Sequence, residues 1–259
     1  MLIPRQIHQI WWQGFDKVPT KYIPYLETWE SNHPSPKWEI KYWNKVSFEE
    51  NILTKYPEYL DIYQNLPLMI QKIDFAKYLI LYHLGGIYVD VDTISEKALD
   101  LFLDKYKNPI ILTKFKVFEE LPIFVINNGI IMSVPKHPLL KKIIKHIDYK
   151  KEFYHPNDWY VMKSTGPYYF TKIIMEYLNN QQDTQVMIVP NDVLESCTLS
   201  DYQQCKSKGT YITHDHNCSW ASNIFKTILY SIVYLKDYLK YALILLISLI
   251  SICIVSSNK

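Results

Sequence analysis

The sequence predicts an α/β fold around a mostly parallel sheet, followed by an apolar tail. Three observations carry this. Short apolar runs rich in β-branched and aromatic residues alternate with stretches of helical period. Several of these runs are apolar on both faces, as strands covered by helices on each side are. Residues 241–255, YALILLISLISICIV, hold no charge at all.

Taken in order, residues 3–12 (IPRQIHQIWW) alternate in part and run toward Gly14, which reads as a strand entering a loop. Residues 22–29 have helical character, and Asn32-His33-Pro34-Ser35-Pro36 stops them. Residues 38–43 (WEIKYW) alternate with period two, a strand. Two short helices follow over 47–53 and 58–64, parted by Pro57. Residues 68–84 carry the clearest helix, with Ile73, Ala76, Leu79, Ile80 and Leu84 at helical spacing. Gly85-Gly86 should end it in a left-handed cap, and residues 87–91 should form a short strand. Further strands are expected over 109–112, 123–126, 128–132, 186–189 and 211–213. Helices are expected over 139–147 and 163–178, the second interrupted near Gly166-Pro167.

The chain has 259 residues, enough for one sizeable domain and an appendage. A hydrophobic content of 48% and a charged content of 21% are those of a globular protein, and a net charge of +2 gives no electrostatic case for nucleic acid. Cys197, Cys205 and Cys218 cannot all pair, Cys253 lies in the apolar tail and no CxxC occurs, which favours a reducing compartment. Asn217-Cys218-Ser219 forms a glycosylation sequon of the kind that also arises by chance. Met1 to Arg5 lack the basic-then-apolar pattern of a signal peptide. Residues 238–255, with Lys240 able to snorkel, make a span near the lower limit of roughly 17 residues that cross a bilayer. This predicts a domain over 1–224, then a juxtamembrane segment and a single-pass anchor over 225–259. Lys226, Lys236 and Lys240 before the span place the domain on the cytosolic side, with a Golgi or ER lumenal placement left open.

The chemistry centres on residues 85–93, GGIYVDVDT. Asp90 and Asp92 alternate with Val89 and Val91, so on a strand both carboxylates would point the same way. At the C-terminal end of a strand in an open α/β sheet they would face the ligand crevice. Acids there cost desolvation unless positive charge meets them. Two hard oxygen donors one residue apart suit Mg²⁺ or Mn²⁺.

A wider set of blocks resembles a known family. Ile3-Pro4 with Ile7-His8-Gln9-Ile10-Trp11, Asp74-Phe75-Ala76-Lys77-Tyr78, Leu81-Tyr82, Gly85-Gly86-Ile87-Tyr88 and Asp90-Val91-Asp92 are similar to the DXD sugar transferases of glycosyltransferase family 32. That group includes Golgi mannosyltransferases, mannosyl inositol-phosphoceramide synthases and capsule-synthesis enzymes. Asn128-Gly129, Pro135 with His137-Pro138, Thr165-Gly166-Pro167 and His214 with Ser219-Trp220 follow in the family's order. The resemblance covers residues 3 to about 220. It implies a GT-A fold and retaining transfer of a hexose from a GDP- or UDP-sugar to a glycan or lipid.

On that resemblance Asp92 binds the divalent cation and Asp90 contacts it through water or the ribose. Trp11 stacks the nucleobase, for which an indole is a good platform, while Trp12 reads as core. Asp74, Lys77, Tyr78 and Asn128 are donor-binding. Lys77 stands where the family has Arg, a point charge in place of a bidentate fork, and Ile73 replaces a Ser. His214 is expected to complete the metal shell, with His216 as the alternate. No catalytic nucleophile is offered, and the front-face mechanism suggested for the family requires no protein base.

Three other classes fit less well. Haloacid-dehalogenase-type phosphatases also end a strand in DxDx(T/V), but Ile94 breaks that pattern and no later acidic pair follows a strand. A calcium EF-hand fails at Ser95 and Leu101, where Gly and Glu are required. A membrane adaptor without enzymatic activity predicts no nucleotide binding.

Overall fold

The structure, a computed structural model, describes residues 2–116, 124–149, 157–180, 185–195, 209–216 and 222–223. The apolar span at 238–255, the four cysteines, the sequon and Ser219-Trp220 lie outside the described residues. Among the described residues no helix is long and apolar enough to cross a membrane.

The chain begins with β1 (Gln6–Ile10), α1 (Ile23–Asn32), β2 (Glu39–Trp43), α2 (Lys45–Phe48), α3 (Leu60–Asn65) and α4 (Met69–Leu84). It continues with β3 (Gly86–Val89), β4 (Thr93–Ser95), α5 (Asp100–Lys105), β5 (Ile110–Lys116) and β6 (Phe124–Ser133). The last elements are α6 (Pro138–Lys145), α7 (Asn157–Ser164), α8 (Pro167–Asn180), β7 (Val186–Val189), α9 (Asn191–Leu194) and β8 (Ile212–His214). The main sheet has the order β2-β1-β3-β6-β5-β7. Only β6 runs against the others, so the sheet is mixed and mostly parallel.

Strand pleating divides the core into two layers. In β3, Ile87 and Val89 face Ile7, Trp29, Phe102 and Ile130, whereas Tyr88 faces the layer of Phe75, Leu79, Leu139 and Phe170. Helix α4 is buried nearly all round, as its apolar composition requires. Its start is capped by Gln71 Oε1, which accepts from Leu68 N–H at 3.1 Å. Its end differs from the expected left-handed cap. Gly85 has φ 67° and ψ −164°, and its N–H still reaches Leu81 O. A Cβ at Gly85 would stand 2.6 Å from Pro135 Cδ, so both conformation and space demand glycine.

Three expectations are corrected. The expected strands over 123–126 and 128–132 are one strand, β6, with a bulge opposite Leu112/Thr113 that absorbs the break in pattern. The expected strand over 211–213 is β8, which pairs with β4 outside the main sheet. The helical stretch expected over 163–178 begins earlier, at Asn157, while the interruption expected near Gly166-Pro167 is present and divides α7 from α8.

Candidate active site

The strand expected to carry both acids stops short of them. β3 ends at Val89, and Asp90 to Asp92 form a turn closed by Thr93 N–H to Asp90 O at 3.2 Å. Thr93 Oγ1 also donates to Asp90 O. An acid side chain beyond a strand terminus needs no place in an apolar layer, so the turn is the cheaper solution. The two carboxylates nevertheless converge, because β4 follows at once and pairs antiparallel with β8, setting Thr93 against His214.

His214 Nε2 lies 3.2 Å from Asp92 Oδ1 and 3.9 Å from Asp90 Oδ2. Its other nitrogen, Nδ1, faces Glu195 Oε2 at 3.1 Å. His216 stacks on it at 3.9 Å between centroids, and its Nε2 also lies 2.9 Å from Glu195 Oε2. His216 has φ +46°, a left-handed backbone that β8's end imposes on a bulky residue. Burial opposes the charge on His214, yet the Glu195 and Asp92 carboxylates overcome it and hold the imidazole well above its ordinary range. Burial would raise the Glu195 carboxyl too, but the two histidines bring it down to about 2.

The far side of Asp90 belongs to a second group. Asp90 Oδ1 accepts from Tyr88 OH at 2.6 Å and stands 3.6 Å from Lys77 Nζ, which also lies over the Tyr88 ring. Lys77 Nζ is 3.0 Å from Asp74 Oδ1. Asp74 is otherwise held by Asn128 Nδ2 at 2.9 Å and Thr165 Oγ1 at 2.9 Å, and Tyr78 OH bridges Asn128 Nδ2 and Thr165 O. The structure thus brings Asp74, Lys77, Tyr78, Asn128 and Asp90 into one buried network. Burial works against the Lys77 ammonium, but Asp90 and Asp74 raise it above its usual range. The Asp90 carboxyl is raised, first by burial and then by Asp92, against Lys77 and His214, although 32% of its side chain still meets solvent.

Trp11 is half-buried beyond β1 and packs with Tyr22, Leu26 and Val91, the residue between the two acids. Its Nε1 is buried without a hydrogen-bond partner among the described residues. Trp12 is core, against Phe48 and Tyr63.

Comparison with known proteins gives this arrangement a family. Residues 19–112, which include Asp74, Lys77, Asp90 and Asp92, match the glycosyltransferase sugar-binding region containing the DXD motif. An uncharacterized glycosyltransferase of Acanthamoeba polyphaga mimivirus is 31% identical over 86% of this chain and 86% of its own. The chain belongs to the DXD-containing glycosyltransferases. A mannosyl phosphorylinositol ceramide synthase of Saccharomyces cerevisiae is 31% identical over 68% of this chain and 43% of its own. The initiation-specific alpha-1,6-mannosyltransferase of Candida albicans is 27% identical over 68% of this chain and 54% of its own. The chain therefore spans about half the length of these two fungal relatives. Among solved structures it resembles the PaToxG glycosyltransferase, with a TM-score of 0.49 and 18% identity over 69% of this chain and 71% of that one.

Membership agrees with the architecture. The mixed sheet, with the DXD turn just past β3, is the GT-A arrangement that the sequence resemblance implies. The donor set fits a divalent cation. One ligand atom each from Asp90, Asp92 and His214 lie within 4.8 Å of one another, two hard oxygens and an imidazole nitrogen of the kind Mn²⁺ or Mg²⁺ accepts. Gly129 leaves the space, since a Cβ there would stand 2.7 Å from both Asp90 Oδ2 and His214 Cε1.

Four contributors escaped the sequence reading. Glu195 and Asn127 stand behind His214, Tyr88 OH holds Asp90, and the Thr165 hydroxyl holds Asp74. Tyr88 alone carried a signal, lying two residues before Asp90 on the same strand-and-turn segment.

Proposed function

We propose that this protein is a metal-dependent, retaining hexosyltransferase acting from a nucleotide-sugar, with mannose the first sugar to test. The observation that carries the proposal is the convergence of Asp90, Asp92 and His214 Nε2 around the space left by Gly129. In it, Asp92 and His214 hold Mn²⁺ or Mg²⁺ directly, and Asp90 contacts the ion through water or the ribose. The cation, when bound, neutralises charge on the departing diphosphate.

The chain's own residues do the rest. Trp11 supplies the ring face for the nucleobase, and its buried Nε1 has no partner within the described residues. Asp74, positioned by Asn128, Thr165 and Lys77, is the residue proposed to meet donor hydroxyls. Lys77, with Tyr78 beside it, acts at the donor chiefly by keeping Asp74 and Asp90 ionised and in place. No side chain is assigned as general base. Preorganised charge against the leaving group supplies the rate.

The acceptor is proposed to be a glycan or a lipid of the inositol-phosphoceramide kind, on the activities for which the fungal relatives are named. Residues 225–259 are proposed as a membrane tether, on the uncharged run at 241–255. The test is a panel of GDP- and UDP-hexoses scored for Mn²⁺- or Mg²⁺-dependent hydrolysis and transfer. Asp92→Ala is expected to abolish turnover. Undiminished turnover in that variant would remove the metal assignment, and unaltered activity on a lipid acceptor after deletion of 236–259 would remove the tether.

A further inference from the structure

The hydrogen bonds behind His214 run in a single direction. Gly129 N–H donates to Asn127 Oδ1 at 3.1 Å, which turns the Asn127 amide so that Nδ2 donates to Glu195 Oε1 at 2.8 Å. Glu195 Oε2 faces His214 Nδ1 at 3.1 Å and His216 Nε2 at 2.9 Å, and its approach to His214 Nδ1 is closer than the 3.4 Å of Asn127 Nδ2 to the same nitrogen. Glu195 is fully buried at the end of α9, where its N–H is tied to Asn191 O. A carboxylate only accepts, so the proton on this side of the ring must sit on Nδ1.

We infer that Glu195 is a positioning residue: with the cation bound, it fixes His214 in the Nδ1–H tautomer and aims the Nε2 lone pair at the cation held by Asp92. The inference rests on the metal reading of the site given above. Metal-binding imidazoles are commonly oriented by a carboxylate on the other nitrogen. Here the orientation is over-determined. Asn127 cannot turn its amide without stranding Gly129 N–H, and His216 stacks on the ring at 3.9 Å, blocking its rotation. The orienting acid comes from α9, the Asn127 anchor from β6 and the ligand from β8. The geometry is thus fixed only when these three elements are assembled.

The network's polarity supplies the test. Glu195→Gln offers one acceptor to two donors, so either Asn127 or His214 loses its partner. Mn²⁺ affinity of the full chain, measured from the EPR signal of free Mn²⁺, should fall about 10- to 100-fold. The double substitution Asn127→Asp with Glu195→Gln reverses one link. The amide introduced at 195 then donates to the carboxylate introduced at 127 and still accepts from His214, while Gly129 N–H keeps its acceptor. Affinity should return to within about threefold of the native protein, a recovery that a general packing role for Glu195 does not produce.

Three results would overturn the inference. One is a folded Glu195→Gln protein with native Mn²⁺ affinity while Asp92→Ala abolishes binding. Another is a folded double variant that recovers nothing. The third needs no variant: ¹⁵N spectra of the native chain with Mg²⁺ should show His214 protonated on Nδ1 and bound through Nε2, and an Nε2–H tautomer would refute the assignment even if both variants failed to fold. Loss of neither binding nor turnover in Asp92→Ala would instead sink the metal site itself.

Discussion

Lys77 pairs with Asp74 one helical turn before it, Nζ to Oδ1 at 3.0 Å, with both side chains only 4–5% exposed. The same ammonium stands 3.6 Å from Asp90. One buried cation therefore ties α4 to the first acid of the DXD turn. Removing it leaves two carboxylates without their counter-charge, a change that typically costs about 3–5 kcal/mol when the pair is buried. Lys77→Met should lose stability on that scale in urea denaturation. Lys77→Arg, which keeps the charge in the form the wider family uses, should lose less. Equal losses would show that side-chain shape rather than charge governs the position.

Gly129 tests the cation's space directly. Its φ is not in the left-handed region, so alanine is acceptable to the backbone, yet the new Cβ would meet Asp90 Oδ2 and His214 Cε1 at 2.7 Å. Gly129→Ala is expected to lose about 1–3 kcal/mol of stability, because the locked His214 ring cannot yield freely, and to bind Mn²⁺ at least about tenfold more weakly, the scale of a displaced ligand shell. Native affinity measured by calorimetry would mean the ion sits elsewhere.

The legibility of this site follows the range of each interaction. Asp90 and Asp92 are two residues apart and stand at the end of an apolar run, so they are visible locally. Asp74 and Lys77 share one helix face with the glycines that end it. His214 is 122 residues beyond Asp92 and no local pattern marks it as a ligand; family block order alone suggested it. Glu195 left no trace at all, because either acid of NDVLES, Asp192 or Glu195, reads as a solvated one until β8 folds over Glu195.

The same rule explains the misread elements. The bulge in β6 breaks the two-residue alternation in mid-strand, so local pattern divides what the β5 ladder unites. β4 has three residues and α5 six, too short for either period to declare itself. The acids were placed on a strand because alternation continued through Val91. The hydrogen bond from Thr93 back to Asp90 that makes the turn is tertiary in origin, secured by the pairing of β4 with β8.

Trp11 offers a test of donor binding separate from the metal. Its ring packs at 6.2 Å from Tyr22 and shares a cluster with Val91, so a base stacked there would lie beside the acids. Stacking of a base on an aromatic ring contributes about 1–3 kcal/mol. Trp11→Ala should weaken UDP or GDP binding in the presence of Mn²⁺ by about 5- to 150-fold, and Trp11→Phe should retain most of it. Calorimetric titration with each nucleotide decides, and an unaffected Trp11→Ala would move the base site away from β1.

A pH dependence of stability comes from His8, well away from the metal ligands. Its Nε2 donates to Gly85 O at 2.9 Å, its Nδ1 accepts from Trp43 Nε1 at 3.2 Å, and it is fully buried. Burial, outweighing the hydrogen bond to Gly85, lowers its pKa from 6.5 to about 4. Between those values the unfolded chain binds the proton and the folded chain does not, so stability rises with pH there. The contribution is complete above pH 6.5, declines as pH falls and is gone below about 4, for a total of about 3 kcal/mol. His33 and His83 are also lowered by burial and slope the same way, so the measurement must be a difference. Urea denaturation at pH 4.5 and 7 should show His8→Gln losing about 2 kcal/mol less than the native chain across that interval. Parallel losses in the two proteins would mean that His8 takes up its proton in the folded state as readily as in the unfolded one.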